Sequence, residues 1–437
     1  MSGLERVHRP QGGVAHADAA ATGATTVRWR IFGIVFVLVV INLIDRTALS
    51  IAMPTIAKEF GLEPAMQGLI LSAFFWSYAA LQIPGGWLID KFGPRALITG
   101  ATVGWGIFQT IAGLCTGGIT LLLSRIGLGA AEAPLFPAGA KLNSIWLSPR
   151  ERGRGAVLMD SGAPLGAAFG GVIIAWLILT LGSWRTAFIV AGVATILLGY
   201  LSWWYLRDKP SDHPGVNDDE LRLIEASTAG GAPTVSAAPK AISRRSLSAI
   251  LTGRMSWAMI NFGLLTWGPS YLAQARGFDL KQMGGATFVI FLSGMFGSLL
   301  SGFLVDKLQA RGMRRSTTYK AALGISGFGV MLSFLILPQV ADPVMAVAVL
   351  SVTLFLLYFG SLYWSLPAIL APREKVGIVG GAMNFAGSAS GIAIPIITGL
   401  ILQATGAYLM VLYFFAACAA LYVVATMLID FHDAETH

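Results

Sequence analysis

Twelve apolar runs dominate this sequence, each close to the twenty or so residues that a helix needs to cross a bilayer. Inside the hydrocarbon every backbone N–H and C=O has to be satisfied within the segment, so runs of this length fold as a bundle of transmembrane helices. Their approximate cores are 31–54, 66–89, 97–115, 120–147, 153–181, 186–206, 255–274, 284–305, 317–338, 344–370, 376–403 and 406–430. Charged residues make up only 12% of the chain, against about a quarter of an ordinary soluble domain. Gly and Pro within the runs fit this reading, because both are common in membrane helices.

The basic residues orient the bundle. With both termini cytoplasmic, Lys91, Arg95, Arg150, Arg152, Arg154, the 207–254 segment, Lys307 to Lys320, Arg373 and Lys375 all fall inside. Only Lys58, Arg185, Arg276 and Lys281 fall outside, as the positive-inside rule requires. The net charge of +8 is thereby a consequence of topology, and no nucleic-acid partner is implied. Residues 1–27 are polar and Ala/Gly-rich, without an apolar h-region, and read as a disordered cytoplasmic tail rather than a removable signal. Residues 431–437 form a second tail. Cys115 and Cys418 are far apart and make no disulfide framework.

Between the sixth and seventh runs, residues 207–254 are rich in charge, Pro, Ser and Gly and read as a cytoplasmic linker with one short helix near 217–227. It separates a bundle at 28–206 from a bundle at 255–430. The two resemble each other. Gly86-Trp-Leu-Ile-Asp90-Lys91, with Arg95, follows the second run, and Gly302-Phe-Leu-Val-Asp306-Lys307 follows the eighth. Gly162, Gly166 and Gly170 mark the fifth run, Gly387 and Gly391 the eleventh; such spacing lets helices approach closely. Recurrence at matching positions predicts an all-α membrane protein of twelve helices in two pseudo-symmetric six-helix bundles.

The deeply placed ionisable residues are Asp45, Arg46, Arg125, Glu132 and Asp160, all in the first half. A charge at the centre of a membrane helix costs about 2.5–3.5 kcal/mol on insertion scales, so each marks a functional position by default. Arg125 and Glu132 are seven residues apart, nearly two turns, and share a helix face. Asp45 and Arg46 diverge by about 100° and cannot address the same partner. A closed set has Asp45 or Glu132 neutralising one arginine while the other stays free for a carboxylate ligand, which the guanidinium fork suits. Protonating Asp45 and Glu132 then frees the arginines for substrate. Static ion pairing between helices is the alternative.

Uncharged groups complete a pocket. Tyr78 and Gln82 lie four apart on the second run; Ser361, Trp364 and Ser365, beside Tyr358 and Tyr363, share a helical face in the tenth; Asn384, Ser388 and Gly391 share one in the eleventh. Hydroxylated organic acids need such donors and acceptors, although packing and interhelical hydrogen bonds use the same residue types.

On Asp45-Arg46, Gln82-Ile-Pro-Gly-Gly-Trp87, Arg125 to Pro137 (RIGLGAAEAPLFP) and Ala382-Met-Asn384-Phe-Ala-Gly387, the chain resembles the major facilitator superfamily. Within it, the likeness is to the anion:cation symporter group of galactonate, glucarate, hexuronate, tartrate and phthalate transporters, which is similar to sialin and the vesicular glutamate carriers. It extends over everything after residue 28. The resemblance implies that Arg46 and Arg125 contact the anion, that Asp45 and Glu132 titrate, and that Tyr78, Ser361, Trp364 and Asn384 touch substrate. It implies that Gly86, Asp90, Lys91 and Arg95, with Asp306 in the second half, form a cytoplasmic gating latch and no ligand site. At Asp160 the family has a neutral polar residue, leaving a third proton site, a substrate-hydroxyl acceptor or an end residue as readings. The seventh run looks short for the family, which leaves Asn261 and Trp267 unplaced, and it lacks the arginine of the glutamate carriers.

The expectation is a monomeric secondary transporter of the bacterial inner membrane importing a small organic anion with protons, sugar acids first. Proton-coupled antiport or export of organic anions or drugs is the alternative; a non-transporting membrane sensor is the different-class rival. No enzyme or cofactor is expected. Haem or metal chemistry in a bundle needs intramembrane His or Cys, and His8, His16, His213, His432 and His437 all lie in tails or linker. No Gly-Lys pair supplies a P-loop.

Overall fold

The computed structural model describes residues 23–148, 151–229, 242–372 and 375–431. Helices are the only regular secondary structure among them. The first half comprises α1 (Val27–Phe60), α2 (Pro64–Phe92), α3 (Pro94–Gly113), α4 (Gly118–Glu132), α5 (Leu135–Trp146), α6 (Arg152–Leu181) and α7 (Trp184–Tyr205). After α8 (Asp218–Ala229) come α9 (Arg244–Arg276), α10 (Leu280–Ala310), α11 (Arg315–Ile336) and α12 (Pro343–Leu357). The chain closes with α13 (Leu366–Leu370), α14 (Val376–Thr405) and α15 (Tyr408–Leu428).

Ten helical stretches among the described residues are long and apolar enough to cross a membrane, and α2 makes eleven if counted across its bend. That bend, 53° between Gln82 and Pro84, sits where a proline removes a backbone donor and crowds the preceding turn. Pro134 similarly separates α4 from α5 within one stretch, Gly118–Trp146. The expected seventh span belongs to α9, which is long enough but diluted by Asn261, Thr266, Trp267, Gly268, Pro269 and Ser270.

Two boundaries differ from the sequence expectation. Helix α9 begins at Arg244 behind a Ser243 cap, so the last eleven residues of the segment read as linker, 244–254, are its first three turns. The seventh span is therefore not short. At the other end, the last residues of the expected tail are tied down, while 1–22 lie outside the described residues. Glu220 of α8, fully buried, accepts from the backbone N–H groups of Val27 and Arg28 and from Thr25 Oγ1. Arg28 Nη1 reaches the same carboxylate at 2.9 Å. A carboxylate over the open N–H groups at a helix start is favoured by the helix dipole.

Glycines decide how closely α1 and α6 pack. A Cβ at Gly162 would meet Phe36 O at 3.1 Å, one at Gly166 would meet Val40 O at 2.3 Å, and one at Gly170 Thr47 Cβ at 2.9 Å. The eleventh run uses its glycines differently. Gly391 accepts the Phe75 ring of α2, whereas Gly387 faces Ala258 at ordinary contact distance. Gly166→Val should therefore push α1 off α6, because a backbone carbonyl cannot yield as a side chain does; overpacking of this kind costs about 1–3 kcal/mol. Thermal unfolding of the purified protein should register a lowered midpoint, while Gly100→Val, which has nothing within 4 Å, leaves it in place. Equal midpoints for the two variants would refute the assignment.

Helices α6 and α10 join the two halves. Near the end of α6, Gly171 meets Thr287 and Gly284, Ala175 meets Gly284, and Phe169 packs on Phe288. Towards its start the helices part around a cavity of 850 Å³ lined by Phe36, Arg154, Leu158, Leu165, Met295 and Leu299. The α2–α14 pair closes the same end, with Gly68 against Pro395 O and Gly399 against Pro64 O.

Candidate functional site

Because successive residues on a helix point about 100° apart, Asp45 and Arg46 leave α1 in different directions. Arg46 turns towards α2 and α4. Its Nε donates to Glu132 Oε2 at 2.9 Å, and its guanidinium lies 4.4 Å from the Phe74 ring centre and 4.6 Å from that of Tyr78. Phe74 and Tyr78, one turn apart on α2, stack at 5.3 Å and form an aromatic wall. Gly129 allows α4 to reach it: a Cβ there would lie 2.0 Å from Phe74 O.

Arg125 approaches the same wall from α4, 5.5 Å from the Phe74 ring. It is 3% exposed, yet its Nε and Nη1 find no hydrogen-bond partner among the described residues. Arg46 Nη2 and Glu132 Oε1 likewise find no hydrogen-bond partner among the described residues. Asn42, one turn before Arg46, is fully buried beside Glu132. The result is two guanidinium groups at one aromatic wall, with a single carboxylate on one of them and N–H donors to spare. Buried donors left without acceptors are costly, and a planar carboxylate is the ligand whose geometry satisfies them.

Asp45 is not at that wall. Buried to 1% exposure, it faces α7 and lies 3.3 Å from Thr195 Oγ1. The side chain of Asp160 on α6 lies outside the described residues.

Of the uncharged candidates, Gln82 and Asn384 meet directly, Nδ2 to Oε1 at 3.0 Å, joining α2 to α14 across the two halves. Ser361 and Trp364, whose partners Ser301 and Arg254 are within the second half, lie on a 3₁₀ segment, Tyr358–Ser365, rather than an α-helix. With three residues per turn, Ser361 and Trp364 superpose while Ser365 rotates away, so the three do not share the face expected of them. Ser361 pairs with Ser301 at 3.4 Å and Ser365 with Tyr319 at 2.9 Å. Tyr363 is fully buried and bonds Thr426.

One expectation is overturned here: the second half does carry an ionisable residue in its interior. Arg254 on α9 is 9% exposed and stacks on Trp257 at 4.1 Å and Trp364 at 4.7 Å. It sits just before the apolar run, among polar residues that read as linker. Phe74 was legible only as the residue one turn from Tyr78, and Thr195 left no signal.

In the gating motif, Asp90 pairs with Lys141 of α5 at 2.9 Å, and both are exposed. Arg95 donates to Trp203 O and, through its backbone, to Asp208. Gly93 adopts φ +83 over Asp208, a conformation and a close approach that a side chain would strain. Lys91 lies over Trp87 and Phe92, Gly86 has open space around it, and Asp306 is exposed on α10. These ties of Asp90 and Arg95 run to the first half and to the start of the segment that follows it.

The chain matches the family model of the Major Facilitator Superfamily over residues 35–395. It is 30% identical to the probable galactarate/D-glucarate transporter GarP of Escherichia coli strain K12, over 90% of this chain and 92% of that one. It is 32% identical to a D-galactonate transporter of Escherichia coli O6:H1, covering 85% of this chain and 88% of the relative. Among solved structures, a bacterial homolog of the human lysosomal transporter Spinster, in an inward-facing and unoccupied conformation, superposes with a TM-score of 0.71. That match has 17% identity over 94% of this chain and 96% of the other.

Proposed function

This chain belongs to the Major Facilitator Superfamily of multi-pass membrane transporters, and from that premise we propose that it imports a small organic anion together with protons by alternating access. A sugar acid is the leading cargo, as in the names of its relatives. The observation that carries this reading is Arg125, a buried guanidinium with two donor nitrogens unmet beside the Arg46–Glu132 pair. Two arginines suit an anion and oppose a cationic drug.

On this reading the carboxylate of the substrate and that of Glu132 compete for the guanidinium groups. Protonating Glu132 releases Arg46, and the anion bridges Arg46 and Arg125 over Phe74 and Tyr78. Asp45, Arg46, Arg125 and Glu132 together are neutral when all are ionised. A monoanion then needs one proton to keep the site neutral and a dianion two, one for each carboxylate. Neutrality matters because carrying net charge through a low-dielectric interior is costly. Gln82 and Asn384, joined across the halves, offer neutral donors and acceptors to substrate hydroxyls. Trp364, backed by Arg254, and Ser361 supply the second-half wall.

The separation at the start of α6 and contact at its end fit one stage of a rocking cycle. With the termini cytoplasmic, the open end faces inward. Both halves of the site lie on one chain, so a monomer suffices.

The test is purified protein in liposomes with a trapped pH dye, challenged with aldonates, aldarates, uronates, dicarboxylates and aromatic acids. Acidification of the lumen on adding one class is the expected result. Folded protein that shows no substrate-dependent proton movement with any of them would defeat the symport reading.

A further inference from the structure

One hydroxyl beside Asp45 has two acceptors within reach and a single hydrogen. Thr195 Oγ1 lies 3.3 Å from Asp45 Oδ2 and 3.0 Å from the carbonyl oxygen of Ala191, one turn earlier on α7. A hydroxyl donates once and accepts through two lone pairs. Facing a carboxylate, Thr195 donates to Oδ2. Facing a carboxylic acid, it accepts the acid's O–H and turns its own hydrogen to Ala191 O. Asp45 and Thr195 are each 1% exposed, so bulk water does not stand in for either arrangement.

We propose that Thr195 is a positioning residue for proton coupling, switching between donor and acceptor so that Asp45 gains and loses its proton without losing its hydrogen bond. This rests on the proposed proton-coupling role of Asp45. The balance is simple. The incoming proton binds Asp45 Oδ2; the Thr195 O–H···Oδ2 bond breaks, and an Oδ2–H···Oγ1 bond replaces it. The Thr195 hydrogen stays on Oγ1 and swings to bond the Ala191 carbonyl oxygen, so Thr195 remains neutral throughout.

From α3, Trp105 turns its indole towards the same carboxylate without completing a hydrogen bond; an indole N–H only donates, so it cannot accept the acid's O–H. The charged groups acting on Asp45 are Glu132 and Arg125 from α4, with Arg46 adjacent on α1. At this level α6 presents Gly166 and Gly170 to α1, and Asp160 lies further back along it. These charges bias Asp45 one way or the other, whereas the Thr195 hydroxyl can donate to the carboxylate and accept the O–H of the acid. Its position is set by the α3–α7 seam: one turn earlier, a Cβ at Gly192 would lie 2.6 Å from Gly106 O, so α7 is held close.

Infrared titration of the protein in liposomes, without substrate, tests this. The protonated-carboxyl band of Asp45 is the one removed by Asp45→Asn. In Thr195→Val that band should move to higher wavenumber and half-titrate roughly half a pH unit or more higher, because a hydroxyl donor favours the carboxylate more than the acid. Thr195→Ser should restore both, and Thr195→Ala repeats the test if the valine variant does not fold. An Asp45 band with unchanged frequency and midpoint in the hydroxyl-free variants overturns the proposal. If Asp45→Asn removes no titrating band, the proton-coupling role of Asp45 itself fails, and the Thr195 switch falls with it.

Discussion

Glu132→Gln is expected to stop uphill accumulation of substrate while leaving exchange of internal for external substrate measurable. Glu132 Oε2 holds Arg46 Nε at 2.9 Å, and the carboxylate is fully buried. Glutamine has nearly the same shape and no proton to exchange, so it imitates the protonated acid permanently. Arg46 is then always available to the anion, and binding need not wait for a proton. What is lost is the obligation to carry one. In liposomes with an imposed pH gradient, accumulation should fall to the equilibrium level, whereas counterflow of labelled substrate persists. A variant that still concentrates substrate against its gradient would remove Glu132 from the coupling scheme.

Arg125→Lys should weaken substrate binding by at least about 30-fold. Truncating one member of a buried, hydrogen-bonded charge pair costs about 2–5 kcal/mol, and 1.4 kcal/mol is tenfold in affinity. Lysine keeps the charge but loses the fork and its two parallel donors. Its ammonium is also a poorer match for the flat face of Phe74, against which Arg125 lies at 5.5 Å. Isothermal titration of the purified variant with the substrate identified in liposomes gives the number directly. Affinity within threefold of the wild type would mean that Arg125 is a structural cation and that the anion sits elsewhere.

Both predictions draw on charges that were legible in the sequence, because an ionisable residue within an apolar run stands out against its surroundings. The same contrast failed for Arg254. It stands one residue before the expected start of its run, and a polar flank made it look like linker. Only the continuation of α9 back to Arg244 places it inside the bundle, stacked between Trp257 and Trp364. Ser361, Trp364 and Ser365 erred in the other direction. Their spacing is that of an α-helix face, but the chain there tightens to three residues per turn, which no local composition announces.

What the sequence determined alone is whatever depends on one helix at a time. The length and apolarity of the runs commit the chain to the membrane, and the angle between neighbours sends Asp45 and Arg46 apart. Which group each one meets depends on how every helix is rotated about its axis, and that is settled by packing across helices. Gly166 lets α1 settle on α6, and Gly129 lets α4 close on Phe74. From those approaches follow the Arg46–Glu132 bond, the unmet donors of Arg125, and the turn of Asp45 away from both towards Thr195. Such contacts join residues far apart in the chain, and no single run contains the information that selects them.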